Sequence, residues 1–114
     1  AALAIMTKNI ANSLTGHQIR VNALNIGWTD TPAEHDIQKR VHGKGDDWLE
    51  REESKVPFKR LTKTIDVAKG LAFMCSEESG LMTGSVIDFD QTVNGWHSYS
   101  AYETKILDDS LLGE

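Results

Sequence analysis

The chain has a single cysteine, Cys75, among its 114 residues. One cysteine excludes an intramolecular disulfide and points to a reducing compartment, hence a cytoplasmic setting. Set among apolar residues on a helical stretch, Cys75 reads as a small buried hydrophobe. Long apolar runs are missing as well. None approaches the ~20 residues that a transmembrane helix needs, so no membrane association is expected. Residues 1–6 are apolar, but Thr7-Lys8-Asn9 interrupts them and no basic segment precedes them, unlike a signal peptide. Basic clusters are lacking too. The net charge is −5 and the longest basic runs are the pairs Lys39-Arg40 and Lys59-Arg60, which argues against nucleic acid. There are no repeats and no low-complexity tracts. The length suits one domain and is too short for two.

What is present has a clear order. Residues 1–15 read as a helix, with Leu3, Met6, Ile10 and Leu14 on one face and Ala1, Ala2, Ala4 and Ala11 on the others. Gly16 is placed to end it in a left-handed conformation. No capping residue opens it, and truncation is the simplest explanation of that start. Residues 19–25 read as a buried strand, in which Ile19, Val21 and Ala23 alternate with Arg20 and Asn22. Thr31-Pro32-Ala33-Glu34 is a capping box with Pro at the first helical position, and a helix to about His42 follows. Asp47 is placed to cap a second short helix around Trp48 and Leu49. Val56-Pro57-Phe58 closes this charged excursion. A helix over 65–76 carries Val67, Leu71, Met74 and Cys75 on one side. Gly80 and Gly84 bracket a turn, Ser85 to Asp90 forms a second strand, and Ala101 to Leu112 is a weak terminal helix.

Strand, helix, strand implies two parallel strands joined by a right-handed crossover. Parallel sheets are buried on both faces and contain more than two strands. The fold class is therefore α/β, an incomplete part of a doubly wound parallel sheet. In such sheets ligands bind outside the carboxyl ends of the strands. That puts the loop after the first strand, Gly27 to Thr31, on the ligand-facing side.

Four segments carry a resemblance to the short-chain dehydrogenase/reductase family. They are Ala1-Ala2-Leu3-Ala4-Ile5-Met6-Thr7-Lys8; Ile19-Arg20-Val21-Asn22-Ala23 with Gly27 and Thr31-Pro32; Pro57-Phe58-Lys59-Arg60-Leu61 with Asp66-Val67-Ala68; and Thr83-Gly84-Ser85-Val86-Ile87-Asp88-Phe89-Asp90. Their order and spacing both fit over residues 1–95, which leaves 96–114 as a tail. The resemblance implies the C-terminal portion of a Rossmann-like domain and a hydride transfer between NAD or NADP and a secondary alcohol or carbonyl. It makes residues 32–58 the substrate-covering excursion and implies a homo-oligomer, dimer or tetramer. The family's Gly-rich loop and its catalytic Ser, Tyr and Lys lie upstream of the matching region, so no catalytic residue is assigned and the 114 residues alone are expected to be inactive. Tyr102 and Lys105 stand too close together, and too late in the chain, to replace them. The competing expectation is a non-enzymatic assembly module that pairs with other chains. A flavodoxin-like binding domain fits the element order but not the four segments.

The same resemblance implies cofactor contacts from Gly27, Trp28, Thr29 and Thr31. Gly27 permits close approach, Thr29 offers backbone groups to the carboxamide, and Thr31 offers a hydroxyl to the pyrophosphate. Thr31 is equally required as a helix cap. Trp28 reads either as a pocket wall or as a plug packing the excursion onto the sheet, whereas Trp48 reads as the anchor of its helix. Ile26 stands where the family has Pro, and Asp90-Gln91-Thr92 where Asp-Gly-Gly is usual. His35 and His42 share a helical face near Asp36, Asp46 and Asp47, but without compact ligand spacing they read as a solvated face, and no metal is assigned.

Overall fold

The computed structural model describes residues 1–93; the tail from Trp96 and the helix expected over 101–112 lie outside them. Helix α1 spans Ala2–Leu14 and is followed by a single tight turn, Thr15–His17. Gly16 does not take the left-handed conformation; Gln18 does, with φ 59°. The extra turn carries the chain past Gly16 before it reverses.

Strand β1 (Ala23–Ile26) pairs in parallel with β4 (Val86–Phe89), in the register Ala23↔Val86 to Ile26↔Phe89. The parallel pairing expected from the strand–helix–strand order is therefore present. β1 is shorter than the expected 19–25, and side chains explain why. Ahead of Ala23, side chains replace ladder bonds. The Val21 N–H donates to the Thr83 hydroxyl (3.1 Å), and the Ser85 N–H donates to the Asn22 side-chain oxygen (3.0 Å). Gly84 N–H still donates to the Val21 carbonyl at 2.8 Å. Gly80 and Gly84 both have positive φ, as the turn between α4 and β4 requires.

Arg20 fastens this end of the sheet to α4 (Thr64–Cys75). Its guanidinium contacts the Met74, Ser76 and Met82 carbonyls and the Ser79 hydroxyl at 2.7–3.2 Å. It thereby satisfies carbonyls that the end of a helix leaves free. Gly70 lets α4 lie close on the sheet: a Cβ there would come 3.2 Å from both Leu24 and Phe89.

The expected apolar face of α1 is not its buried face. Thr7 and Ala11 are buried, while Leu3, Met6 and Ile10 are exposed, Leu3 by 68%. Ala11 packs at the turn before β4, where a Cβ at Gly84 would lie 3.6 Å from its own, and the Lys8 ammonium donates to the Gly84 carbonyl. The larger apolar stripe points away from the described residues. On α4, Met74 is buried but Leu71 and Cys75 are exposed, so Cys75 is not a core residue. Among the described residues β1 and β4 pair only with each other, and the sheet is incomplete in that sense.

The densest packing lies in the excursion. It holds α2 (Pro32–Arg40) and α3 (Trp48–Glu53), and a two-residue parallel pair that the alternation pattern does not reveal, β2 (Thr29–Asp30) with β3 (Thr62–Lys63), flanks it on both sides in the chain. Trp48 (1% exposed), Val56 and Leu61 (0%) form a core against which Trp28 and Leu49 pack. Trp48 is the anchor expected of it. The charged exterior pairs internally, with Lys39–Asp46, Arg40–Asp36 and Lys44–Glu52 contacts. Asp47 precedes α3, but its side chain makes no cap.

Asp66 starts α4. Its carboxylate accepts from the Lys63 N–H (2.8 Å) and from both terminal nitrogens of Arg60 (2.6 and 2.9 Å). The Arg60 bonds foremost, then the Lys63 backbone, hold its pKa down at about 2 against an ordinary 3.8. A depressed carboxylate adds stability above its unfolded pKa that is lost as pH falls through the folded value. Asp66→Asn is therefore expected to lower stability near neutrality and to flatten its decline between pH 4 and pH 2, read from urea midpoints across that window.

Candidate functional site

β1 and β4 end on the same side, and the loop after β1 begins there with Gly27. Its N–H donates to the Phe89 carbonyl at 3.1 Å, extending the ladder by one rung. A Cβ at Gly27 would lie 2.2 Å from the Asp90 carboxylate carbon. Asp90 is held there by the Gln91 N–H (2.7 Å) and the Thr92 hydroxyl. Glycine at 27 is thus demanded first by a neighbour within the chain. Gly27→Ala is expected to cost about 1–3 kcal/mol through overpacking. Adding Asp90→Ala is expected to restore most of it; urea denaturation of the four variants in a double-mutant cycle measures the coupling.

The Thr29 hydroxyl donates to the Gly27 carbonyl at 2.9 Å, folding the loop on itself. Thr31 caps α2: its hydroxyl oxygen accepts from the Glu34 N–H at 3.1 Å. The reciprocal half of the expected capping box is not made. The Glu34 carboxylate turns instead to the Trp28 indole N–H (2.8 Å) and the Gln38 amide (2.6 Å). Those bonds, Gln38 first, keep its pKa below the usual value. Because a hydroxyl that accepts one bond still has a proton to give, Thr31 retains a donor at the positive end of a helix.

Trp28 packs on Trp48 with ring centroids 6.3 Å apart, and the Lys44 ammonium lies 5.8 Å from the Trp28 ring centre. This is the plug arrangement, in which the indole fastens the loop to the excursion.

Next to Trp28, a polar chain runs through the excursion. Asp30 accepts from His35 Nε2 (2.7 Å) and from the Lys63 ammonium (2.9 Å). Lys63 also donates to Glu53 (2.6 Å), and Glu53 accepts from the Leu61 N–H (3.0 Å). Asp30 titrates below its usual value, chiefly through the Lys63 bond. Burial works against the Lys63 charge, but Glu53 and Asp30 outweigh it and raise its pKa. His35 is thus not part of a freely solvated face. The spacing Asp30, His35, Trp48 was in the sequence, but its partners come from three elements that no periodicity links. Among the described residues no group of His, Cys, Asp and Glu side chains is arranged to hold a metal.

A cavity of about 250 Å³ opens beside the carboxyl end of β4, between Phe58, Leu61 and Phe89, with the Arg60–Asp66 pair and Gln91 at its rim. Gln91, in the position where glycine was expected, spans it. Its side-chain oxygen accepts from the Phe58 N–H and its amide donates to the Arg60 carbonyl, both at 2.9 Å. Gly27, Trp28, Thr29 and Thr31 do not line this cavity.

A parallel strand–crossover–strand unit with a looped, helix-opening turn at the carboxyl end is the layout of the doubly wound α/β proteins. Comparison with known proteins narrows the class. The family model described as enoyl-(acyl carrier protein) reductase matches residues 1–94. The 3-oxoacyl-[acyl-carrier-protein] reductase FabG of Thermotoga maritima is 35% identical over 85 residues, 75% of this chain and 32% of that protein. The NADPH-dependent reductase BacG of Bacillus subtilis is 35% identical over 94 residues, 79% of this chain and 36% of that one. Among solved structures, a short chain dehydrogenase family protein from Francisella tularensis superposes with TM-score 0.68 at 34% identity, covering 79% of this chain and 39% of its own. L-sorbose reductase from Gluconobacter frateurii, complexed with NADPH and L-sorbose, superposes with TM-score 0.72 at 28% identity, covering 83% and 38%. The chain belongs to the short-chain dehydrogenase/reductase family. It spans about a third of the length of the curated relatives it matches.

Proposed function

We propose that these residues form the nicotinamide-facing wall and the substrate-covering excursion of an NAD(P)-dependent oxidoreductase that interconverts a secondary alcohol and a carbonyl. The observation that carries the reading is the loop itself. Gly27 to Thr31 sits at the carboxyl end of the parallel strands and runs into a capped helix whose Thr31 hydroxyl still has a proton to donate. The NADPH-dependent relatives support the choice of cofactor class.

The nicotinamide, when bound, supplies or accepts the hydride. The residues present fit such a group. The Thr31 O–H and the N-terminus of α2 would hold a pyrophosphate oxygen. Gly27, Trp28 and Thr29 would face the carboxamide with their backbone. The Trp28 and Thr29 side chains keep that backbone in place through Glu34 and the Gly27 carbonyl. The excursion, stiffened by the Trp48 core, would exclude water above the reacting carbon.

The test separates cap from cofactor contact. Thr31→Asp keeps a strong N-cap but loses the hydroxyl donor and adds a negative charge. In the complete protein that contains these residues, folding is expected to be retained while KM for NAD(P)H rises on the order of tenfold or more. Unchanged KM would remove Thr31 from the cofactor site. Absence of any NAD(P)H-dependent turnover with secondary alcohols or carbonyls would overturn the proposal as a whole.

The exposed stripe Leu3, Ile5, Met6 and Ile10 on α1 favours association with other chains, as a homo-oligomer or in an assembly role. Light scattering of the wild type and of a Leu3→Glu, Met6→Glu variant tests it. Among the described residues no helix is long and apolar enough to cross a membrane. A cytoplasmic location is the reading that the single thiol supports.

A further inference from the structure

The His35 imidazole is held on both sides. Nε2 meets Asp30 Oδ1 at 2.7 Å, and Nδ1 meets the Trp48 indole nitrogen at 3.2 Å. The rings of His35 and Trp48 pack edge to face, 4.8 Å between centres. An indole N–H can only donate, and an ionised carboxylate can only accept. Nδ1 must therefore be bare and Nε2 must carry the proton. This excludes His35 as a general base, because its one free lone pair is already taken by Trp48. It also makes the imidazole the link between two parts. Asp30 belongs to the loop that ends in Thr31, and Trp48 is the buried anchor of the excursion.

We propose that His35 is a positioning residue that latches the excursion onto the ligand-facing loop only while its ring is neutral. A second proton on Nδ1 leaves the bond to Asp30 in place and removes the acceptor of a buried indole N–H, which cannot turn to water. Acid therefore loosens the cover without breaking the loop's own bond to His35. The charged groups around the ring are accounted for. Asp30 on β2 leads to Lys63 on β3 and Glu53 on α3. On α2 itself, Glu34 is engaged by Trp28 and Gln38 and feels His42, while Asp36 pairs with Arg40. Lys44 pairs with Glu52.

The consequence for catalysis rests on the function proposed above; the latch itself does not. In the complete protein, acidification that adds the second proton to His35 is expected to raise substrate KM on the order of tenfold, with kcat little changed. His35→Gln offers a donor and an acceptor but does not titrate, and is expected to keep the low KM and lose the pH dependence. His35→Lys, which keeps a donor to Asp30 without an acceptor, is expected to behave at neutral pH as the acid form does. Nitrogen-15 shifts of the imidazole and exchange of the Trp48 indole proton give a readout that needs no turnover. A bare Nδ1 at neutral pH, with indole exchange that quickens as the ring charges, supports the latch. A proton on Nδ1 at neutral pH, or a His35→Gln enzyme with the wild-type pH profile, overturns it. If no substrate turns over, the functional proposal fails and the shifts and exchange still decide the latch.

Discussion

Replacing Trp48 with alanine is expected to cost about 3–5 kcal/mol, the range for emptying a fully buried aromatic site. Urea denaturation followed by far-ultraviolet circular dichroism measures it. The size of the effect follows from where the side chain sits. Trp48 is 1% exposed, packs with Val56, Leu61 and Trp28, and donates to His35. Its loss opens the centre of the buried apolar cluster of Trp48, Val56 and Leu61 and frees a histidine nitrogen as well. Trp48→Phe keeps most of the packing and loses only the N–H. It is expected to cost on the order of 1 kcal/mol. A Phe variant as damaging as the Ala variant would mean that the hydrogen bond, not the packing, holds the excursion together.

Arg20→Met is the second large effect, about 2–3 kcal/mol, since a charged donor is removed from four acceptors at once. Those acceptors close the end of α4 and the turn before β4. The damage should be local in origin. Amide exchange is expected to quicken across residues 74–85 and to stay slow at Trp48. Arg20→Lys is expected to recover part of the loss, because an ammonium reaches fewer of the four acceptors than a planar guanidinium. Equal exchange rates in both regions would show that Arg20 supports the whole chain rather than this corner.

The order of elements was readable because helix and strand periods differ and because Thr31-Pro32 is a strong local signal. The cap at Thr31 and the anchor at Trp48 follow from chemistry within a few residues. What was not readable depends on distant partners. Glu34 looked like the second half of a capping box, but Trp28 and Gln38 offered better donors. The stripe Leu3, Met6, Ile10 looked like a core face, yet the residues of α1 that are buried are the small Thr7 and Ala11. Cys75 sits in an apolar stretch and is nonetheless exposed. β2 and β3 are too short for alternation to show, and their pairing is fixed by residues more than thirty positions apart. At the site, the position of the loop was legible and the Asp30–His35–Trp48 arrangement was not. It joins β2, α2 and α3, and only the folded excursion brings them together.

The stitching between residues 20–26 and 82–89 sets an order of events. Its rungs join positions 63 apart, as in Ala23↔Val86 and Asn22 with Ser85. Closing so long a loop carries an entropic cost that no local contact repays in advance. The Trp48 cluster, by contrast, needs only a short stretch of chain, and α4 needs only itself. During synthesis the excursion and α4 can therefore take shape before β1 meets β4, a pairing that waits until Phe89 has left the ribosome. The slowest step in folding these residues is expected to be the meeting of β1 and β4.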